Sequence, residues 1–447
     1  MKIIIAGAGD IGFHLADLLS IENQDITLID TDKEVLNFAE THLDIFSIRG
    51  DASSVEVLER AEVHKARLFI AVTTSEQTNL LASIIAKKMG AKQTIARVNK
   101  SEYIRQNGKI INFKELGIDT LISPPFLAAK EISRLIRRNQ LTDVFEFENG
   151  RLSLIGLAID EKARIADKAV MAVAENNPNC VFRPIAILRD EETIIPRGNT
   201  MLRKNDHVYF IAENKDINSI VKMTGNQRIS IKRIMILGDT GLALQTASLL
   251  QNDYQVTLIS KDAALCNRFA ELLPNALIIK ADTSNMSILK EEGLEQTDAF
   301  LALTNNPETN IITSLMAKKL GVPKTIALVD NRDYTHISQN IGIDTLINKK
   351  LIAANNIFRF VRKGKIEAVT SLNGVDAEVI EFVIQKKSKL TKCPIRDLNF
   401  PRKALIGGII RGHKSIIPLG ETTLKEKDKV IILAMPEAIP RIEEMFR

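Results

Sequence analysis

The segment IIIAGAGDIGFHLADLL at Ile3–Leu19 returns, 231 residues later, as IMILGDTGLALQTASLL at Ile234–Leu250. In the same register AVTTSEQTN (Ala71–Asn79) faces ALTNNPETN (Ala302–Asn310), and 12 of 27 positions are identical between Ala71–Arg97 and Ala302–Leu328. Agreement at this level marks a tandem duplication, so the two halves must share one architecture. The period is far longer than a solenoid repeat, and each copy is large enough to hold domains of its own.

Charge and cysteine usage exclude several classes. A net charge of +5, from 60 Lys+Arg against 55 Asp+Glu, is too small for the basic face of a nucleic-acid binder, so no nucleic-acid partner is expected. Cys180, Cys266 and Cys393 lie far apart, with no CxxC and no histidine at ligand spacing, which predicts reduced thiols and no metal site. The opening MKIIIAGAG enters a strand at once and lacks the apolar core and cleavage site of a signal peptide, so a cytoplasmic location is expected. No run of 18 apolar, uncharged residues occurs, so a membrane role would require a partner that spans the bilayer.

Lys2–Ala6 is a short β-branched run followed by glycines, and Gly12–Ser20 carries apolar residues at helical spacing, which reads as strand, tight turn, helix. Strands at Asp25–Asp30, Asp44–Asp51, Arg67–Val72, Thr94–Val98 and Asp119–Ser123 alternate with helices at Lys33–Thr41, Val55–Ala61 and Gln77–Met89 and from Pro124 to Arg138. This alternation predicts an α/β fold with a Rossmann-like, doubly wound parallel sheet. After Arg138 the pattern becomes antiparallel strands with hairpin turns, and IIPRGNTMLRKNDHV (Ile194–Val208) recurs as IIPLGETTLKEKDKV (Ile416–Val430). The expected order is large α/β (1–138), small α+β (139–224), large α/β (225–362), small α+β (363–447), with seams near Arg138–Leu141, Thr224–Ser230 and Arg362–Lys365.

Gly7, Gly9 and Gly12, with Ala8, Asp10 and Ile11 between them, form G-x-G-x-x-G directly between a predicted strand and helix. The first glycine permits the tight turn, the second lets the backbone approach a pyrophosphate, and the third lets helix and strand pack closely. Phosphates then meet the free N–H groups and positive dipole of the helix start. Asp30, 18 residues past Gly12, is placed to accept hydrogen bonds from the ribose hydroxyls and repels a 2′-phosphate, which favours NAD over NADP. The alternative is a helix N-cap at Asp30. Asp51 either faces the adenine edge or caps the next helix, and Thr73 and Thr74 either line the ligand crevice or cap theirs.

The second copy keeps Gly238 opposite Gly7, but Thr240 replaces Gly9, Gly241 replaces Asp10, Ala243 replaces Gly12 and Ser260 replaces Asp30. With Asp282 and Thr304 retained, Gly238, Gly241, Asp282 and Thr304 define at most a weaker second site. No catalytic constellation accompanies either copy: the six histidines are scattered, and the smaller modules offer no proton donor and substrate anchor beside a hydride. Arg134, Arg137 and Arg138 form a basic turn, read as a solvated face, with subunit or partner contact as the alternative.

The module order, GAGDIG with Asp30, RGD ending at Asp51, TTSEQTN, and GIDTLISP (Gly117–Pro124) echoed by GIDTLIN (Gly342–Asn348) resemble the tandem RCK (KTN) proteins of bacterial Trk potassium uptake. The resemblance spans essentially the whole chain. It implies two RCK-N Rossmann domains, each followed by an RCK-C module, in a peripheral subunit on the inner face of the plasma membrane. It further implies a homo-oligomeric, tetrameric ring beneath a TrkH-like, integral-membrane, potassium-translocating subunit. Such a subunit binds NAD(H), with ATP or ADP as further candidates, to control ion flux without turnover. The family's nucleotide residues fall here on Gly7, Ala8, Gly9, Asp10, Ile11, Gly12, Asp30, Asp51, Thr73, Thr74 and Arg97. Two positions depart from the family. ATP-selective single-RCK relatives place an arginine where this chain has Asp10, which argues against a triphosphate, and Leu328 stands opposite Arg97 in the second copy. An NAD-dependent oxidoreductase is the alternative function.

Overall fold

The computed structural model describes every residue except 21–23, 107–109, 140, 162, 191, 226–229, 331–341, 362–365, 373–374, 376, 387 and 447. Most of the expected seam at 224–230, and all of that at 362–365, therefore lie outside the described residues.

In the first repeat β1 (Lys2–Ala6), β2 (Asp25–Asp30), β3 (Phe46–Arg49), β4 (Leu68–Ala71), β5 (Gln93–Arg97) and β6 (Thr120–Ile122) form one parallel sheet in the order 3-2-1-4-5-6. Ile3, Ile4 and Ile5 are all fully buried, as a central strand covered on both faces requires. The expected doubly wound α/β fold is thus present. Helices α1 (Asp10–Ser20), α2 (Lys33–His42), α3 (Val55–Arg60), α4 (Glu76–Lys88), α5 (Ser101–Gln106) and α6 (Pro124–Arg137) alternate with the strands. The order reverses between β1 and β4, the position at which sheets of this class open a ligand crevice. Strands Arg233–Leu237, Gln255–Ser260, Ala276–Lys280, Ala299–Ala302, Lys324–Leu328 and Thr345–Ile347 repeat the arrangement in the second copy.

Each smaller module is a five-stranded antiparallel sheet of the same topology, built from Asp143–Phe147 to His207–Ala212 in one and from Ile366–Ser371 to Lys429–Ala434 in the other. Both sheets carry a bulge at the equivalent strand, between Pro184 and Ala186 and between Ile406 and Gly408. Leu152, Leu154, Ile185 and Tyr209 of one sheet share a core with Leu405 and Leu433 of the other. A Cβ on Gly407 would lie 2.9 Å from the Ile185 side chain, so glycine there allows the two sheets to close on each other.

The repeats are interlocked rather than strung in line. Ala128, Ala129, Ile132 and Ile136 on α6 recur every three to four residues, and this stripe lies in one core with Leu242, Ala243 and Ala247 of the second copy. Reciprocally, Ala353, Ala354, Ile357 and Phe358 on the helix Lys349–Val361 share a core with Leu15, Ala16 and Leu19 on α1. Alanines at the crossing points let the helices approach closely. Each crossover helix then leads into a small module that joins the core of the opposite nucleotide fold.

The basic turn stays at the surface, with Arg137 exposed, and this exchange adds partners to it. Arg137 pairs with Asp253 at 2.7 Å and donates to the Leu249 carbonyl, both in the second copy, while Arg138 pairs with Glu146 and Arg134 with Glu131. Among the described residues no helix is long and apolar enough to cross a membrane.

Candidate functional site

The glycine loop ends β1 at the crevice. Gly7 has φ +105°, a left-handed conformation that disfavours side chains, and a Cβ there would sit 2.8 Å from the Thr73 amide. At Gly12 a Cβ would fall 1.8 Å from the Gly7 carbonyl oxygen, so the third glycine is dictated by helix–strand packing. Gly9 differs from both: nothing lies within 4 Å of its Cβ position. Internal packing does not need a glycine there; it leaves open space at the start of α1. The Gly9 carbonyl accepts the first helical hydrogen bond, from the Phe13 N–H at 2.8 Å, so this residue is the N-cap and brings no side-chain oxygen to the first-turn amides.

Asp30 organises this loop from the end of β2. Its Oδ2 accepts from the Ala8 N–H at 2.7 Å and its Oδ1 from the Asp32 N–H at 3.0 Å. The N-cap of α2 is Asp32, not Asp30. Asp51 lies beyond β3, which ends at Arg49, and its Oδ1 accepts from both the backbone and the hydroxyl of Ser53 at 2.8 Å. These two bonds hold its carboxyl below the usual range. Ser54 occupies the N-cap of α3. Asp51 is therefore an exposed, ionised turn residue and not a helix cap.

Thr73 and Thr74 follow β4, but Ser75 is the cap of α4, accepting from the Thr78 N–H. The Thr73 amide and hydroxyl both donate to Asn79 Oδ1, and Asn79 Nδ2 reaches the Thr73 and Arg97 carbonyls. Thr73 thus fastens the crevice floor, and Thr74 is exposed. Arg97, at the end of β5, donates weakly to the Val72 carbonyl and to Asn99, while its buried Nε has no hydrogen-bond partner. Burial pushes its guanidinium below the ordinary arginine value, and Asp10 acts in the opposite sense. An orphaned buried guanidinium nitrogen and open helix-start amides are a fitting environment for a phosphate oxygen.

In the second copy the equivalent space is filled. Thr240 is the N-cap of the helix Gly241–Leu250: its hydroxyl accepts from the Ala243 N–H at 3.1 Å and donates to the Leu303 carbonyl at 2.9 Å. Ser260 is fully buried and bonds the Asp262 amide. Asp282 repeats the Asp51 turn with Ser284, and Thr304 repeats the Thr73 network with Asn310. Gly238 keeps a positive φ, and Gly241 has open space beside it. Gly238, Asp282 and Thr304 therefore preserve the scaffold, while Thr240 occupies the Ala243 amide at the helix start.

Two residues near the first loop were not legible from that loop. Lys349 and Lys350 open the crossover helix of the second copy, and Lys350 Nζ lies 2.6 Å from Asp10 Oδ2. The signal was present in the echo of GIDTLISPP by GIDTLINKK, where two prolines become two lysines, but only the helix exchange shows where they go. Among the described residues no group of three or more His, Cys, Asp or Glu is placed to hold a metal ion.

Fold and loop together define a tandem protein of two dinucleotide-fold domains, each with a small antiparallel module. The TrkA-N domain model matches residues 3–124 and 234–349, and the TrkA-C domain model matches 154–225 and 379–447. The chain belongs to the TrkA family of Trk potassium-uptake proteins. It is 33% identical over 449 residues to the Trk system potassium uptake protein TrkA homolog of Archaeoglobus fulgidus, covering 100% of both chains. Against the TrkA of Haemophilus influenzae it is 33% identical over 452 residues, covering 100% of this chain and 99% of that one. The solved GsuK channel bound to NAD shares the fold at a TM-score of 0.61 and 15% identity, over 100% of this chain and 78% of that one. Relatives of this kind are transport proteins and not enzymes.

Proposed function

We propose that this chain is an NAD(H)-responsive regulatory subunit that controls potassium flux through a TrkH-like membrane partner, assembled as a homotetrameric ring and held at the inner face of the plasma membrane by that partner. The observation that carries the nucleotide assignment is the open N-cap at Gly9, bracketed by the Asp30 carboxylate and the unsatisfied Arg97 Nε. Asp30 would hold the ribose diol, the first-turn amides of α1 and Arg97 the phosphates, and Asp51 the edge of the base. NAD supplies no redox chemistry here; its role is binding energy that differs between two arrangements of the ring. Relatives named for potassium uptake, and a structural neighbour whose NAD-bound form was solved, support the reading.

Calorimetry tests it. Loss of charge-assisted hydrogen bonds costs about 1.5–3 kcal/mol, so Asp30→Ala should weaken NAD(H) roughly 10- to 150-fold, whereas Ser260→Ala should leave binding unchanged. Cells carrying Asp30→Ala should lose nucleotide-dependent potassium uptake, and deletion of the membrane subunit should release the protein from membranes. Unaltered NAD(H) affinity in Asp30→Ala overturns the assignment.

A further inference from the structure

We infer that Lys349 and Lys350 of the second repeat complete the first repeat's nucleotide site, binding the phosphates of a dinucleotide or nucleoside diphosphate across the junction between copies. The inference rests on the reading of the first loop as a nucleotide site and adds to it the residues that face the loop from the opposite side.

The first argument is position. The helix Lys349–Val361 packs on α1, and Lys350 Nζ sits 2.6 Å from the Asp10 carboxylate, the residue that follows Gly9. Lys350 also approaches Asp330 at 3.6 Å.

The second argument is charge. The Lys349 ammonium is partly buried, its approach to a carboxylate among the described residues is a loose 3.9 Å to Asp330, and Arg97 acts on it as a like charge. Burial pushes this ammonium below the ordinary lysine value, with Asp330 opposing and Lys350 and Arg97 reinforcing the shift. On the side of the first repeat, Arg97 Nε has no hydrogen-bond partner. Two partly desolvated like charges, offset in part by Asp10 and by Asp330 at 3.9 Å, would be stabilised by an anion that joined them.

A third argument comes from the duplication. At the corresponding start of α6, which packs on Gly241–Leu250, the chain has Pro124 and Pro125, residues with neither charge nor N–H donor. The lysine pair thus faces the loop left open at Gly9, and the proline pair belongs to the helix that packs on the loop closed by Thr240. The lysines also account for Asp10. A carboxylate on the first turn of α1 would repel a phosphate, and Lys350 neutralises it from the other copy.

The test uses the full chain and three probes: NAD, ADP and adenosine, which lacks phosphate. In Lys349→Ala/Lys350→Ala, NAD and ADP affinities should fall at least about tenfold while adenosine stays within about twofold, because the lost contacts are charge-assisted and reach phosphate alone. Lys349→Arg/Lys350→Arg should retain most of the NAD affinity and confirm that the double alanine effect is one of charge. If NAD and ADP bind the double alanine variant as tightly as wild type, while Asp30→Ala still weakens binding at least about tenfold, the inference is overturned and the site reading stands. Equal loss for all three probes, or a melting transition lowered in step with affinity, marks a structural role and also overturns it. If the wild type binds none of the probes, both readings fall together.

Discussion

After the fourth strand of the first repeat, Asn79 accepts from the Thr73 hydroxyl at 2.7 Å and donates to the Arg97 carbonyl at 3.0 Å; in the second, Asn310 accepts from Thr304 at 2.7 Å and donates to Leu328 at 2.9 Å. The acidic turns at Asp51 and Asp282 match equally well. The repeats diverge where a ligand would touch: Gly9 against Thr240, Asp30 against Ser260, Arg97 against Leu328. Duplication has kept the hydrogen bonds that hold each crevice together and released the groups that face into it. A residue shared by the two copies is therefore better evidence for folding than for binding, and Thr73 is the case in point.

The largest expected effect breaks the comparison outright. Gly9→Thr places in the first loop the hydroxyl that caps the second, at a position where a Cβ meets nothing within 4 Å. NAD(H) affinity should fall about 100-fold, near 3 kcal/mol, with the melting temperature unchanged or raised by the new cap. Calorimetry and thermal melts read the two quantities separately, and retained affinity would show that the amides of α1 are not the phosphate ligands.

A middle-sized effect sharpens the packing side. Gly12→Ala drives a Cβ into the Gly7 carbonyl and should destabilise the first repeat by about 1–3 kcal/mol, the usual cost of overpacking. Gly241→Ala in the second repeat meets nothing within 4 Å and should change stability by less than about 1 kcal/mol. Denaturant unfolding of the two variants should rank them in that order.

The smallest effect is a slope with pH. Lys324, at the start of its strand, is buried with its Nζ donating to the Leu141 carbonyl, and burial lowers its proton affinity below the ordinary 10.5 despite nearby Asp344. The unfolded chain then binds the proton more tightly, so stability rises as pH climbs from the depressed folded value towards 10.5. Lys324→Gln should flatten that rise in urea titrations across the window. Its counterpart Gln93 is exposed, so Gln93→Lys should add no slope.

Much of the architecture could be read in advance because its causes are local. Alternating apolar runs and helical stripes placed the strands and helices of the first large sheet, the duplication carried them to the second, and a glycine spacing located the first loop. Local reasoning was weaker for side chains with two uses. Asp30, Asp51, Thr73 and Thr74 all stood open between binding and capping, and the caps turned out to be Asp32, Ser54 and Ser75. A Ser, Thr or Asp near a helix start satisfies the capping pattern at several neighbouring positions, and backbone geometry chooses among them. The partner of the exposed Arg137 was not legible for another reason: Asp253 is more than a hundred residues away.

By itself the sequence determined that there are two copies, that each is a parallel α/β sheet with a small antiparallel module, and that the first copy alone keeps the glycines and acid of a dinucleotide loop. Periodicity and turn chemistry act within a few residues, so they are written in the chain. Only the tertiary structure decided that α6 and the helix Lys349–Val361 exchange between copies and that Lys350 comes to rest beside Asp10. An amphipathic stripe states that a helix must be covered but not by which surface. Either copy offers the same kind of apolar face, and the choice was made by the packing of the whole molecule.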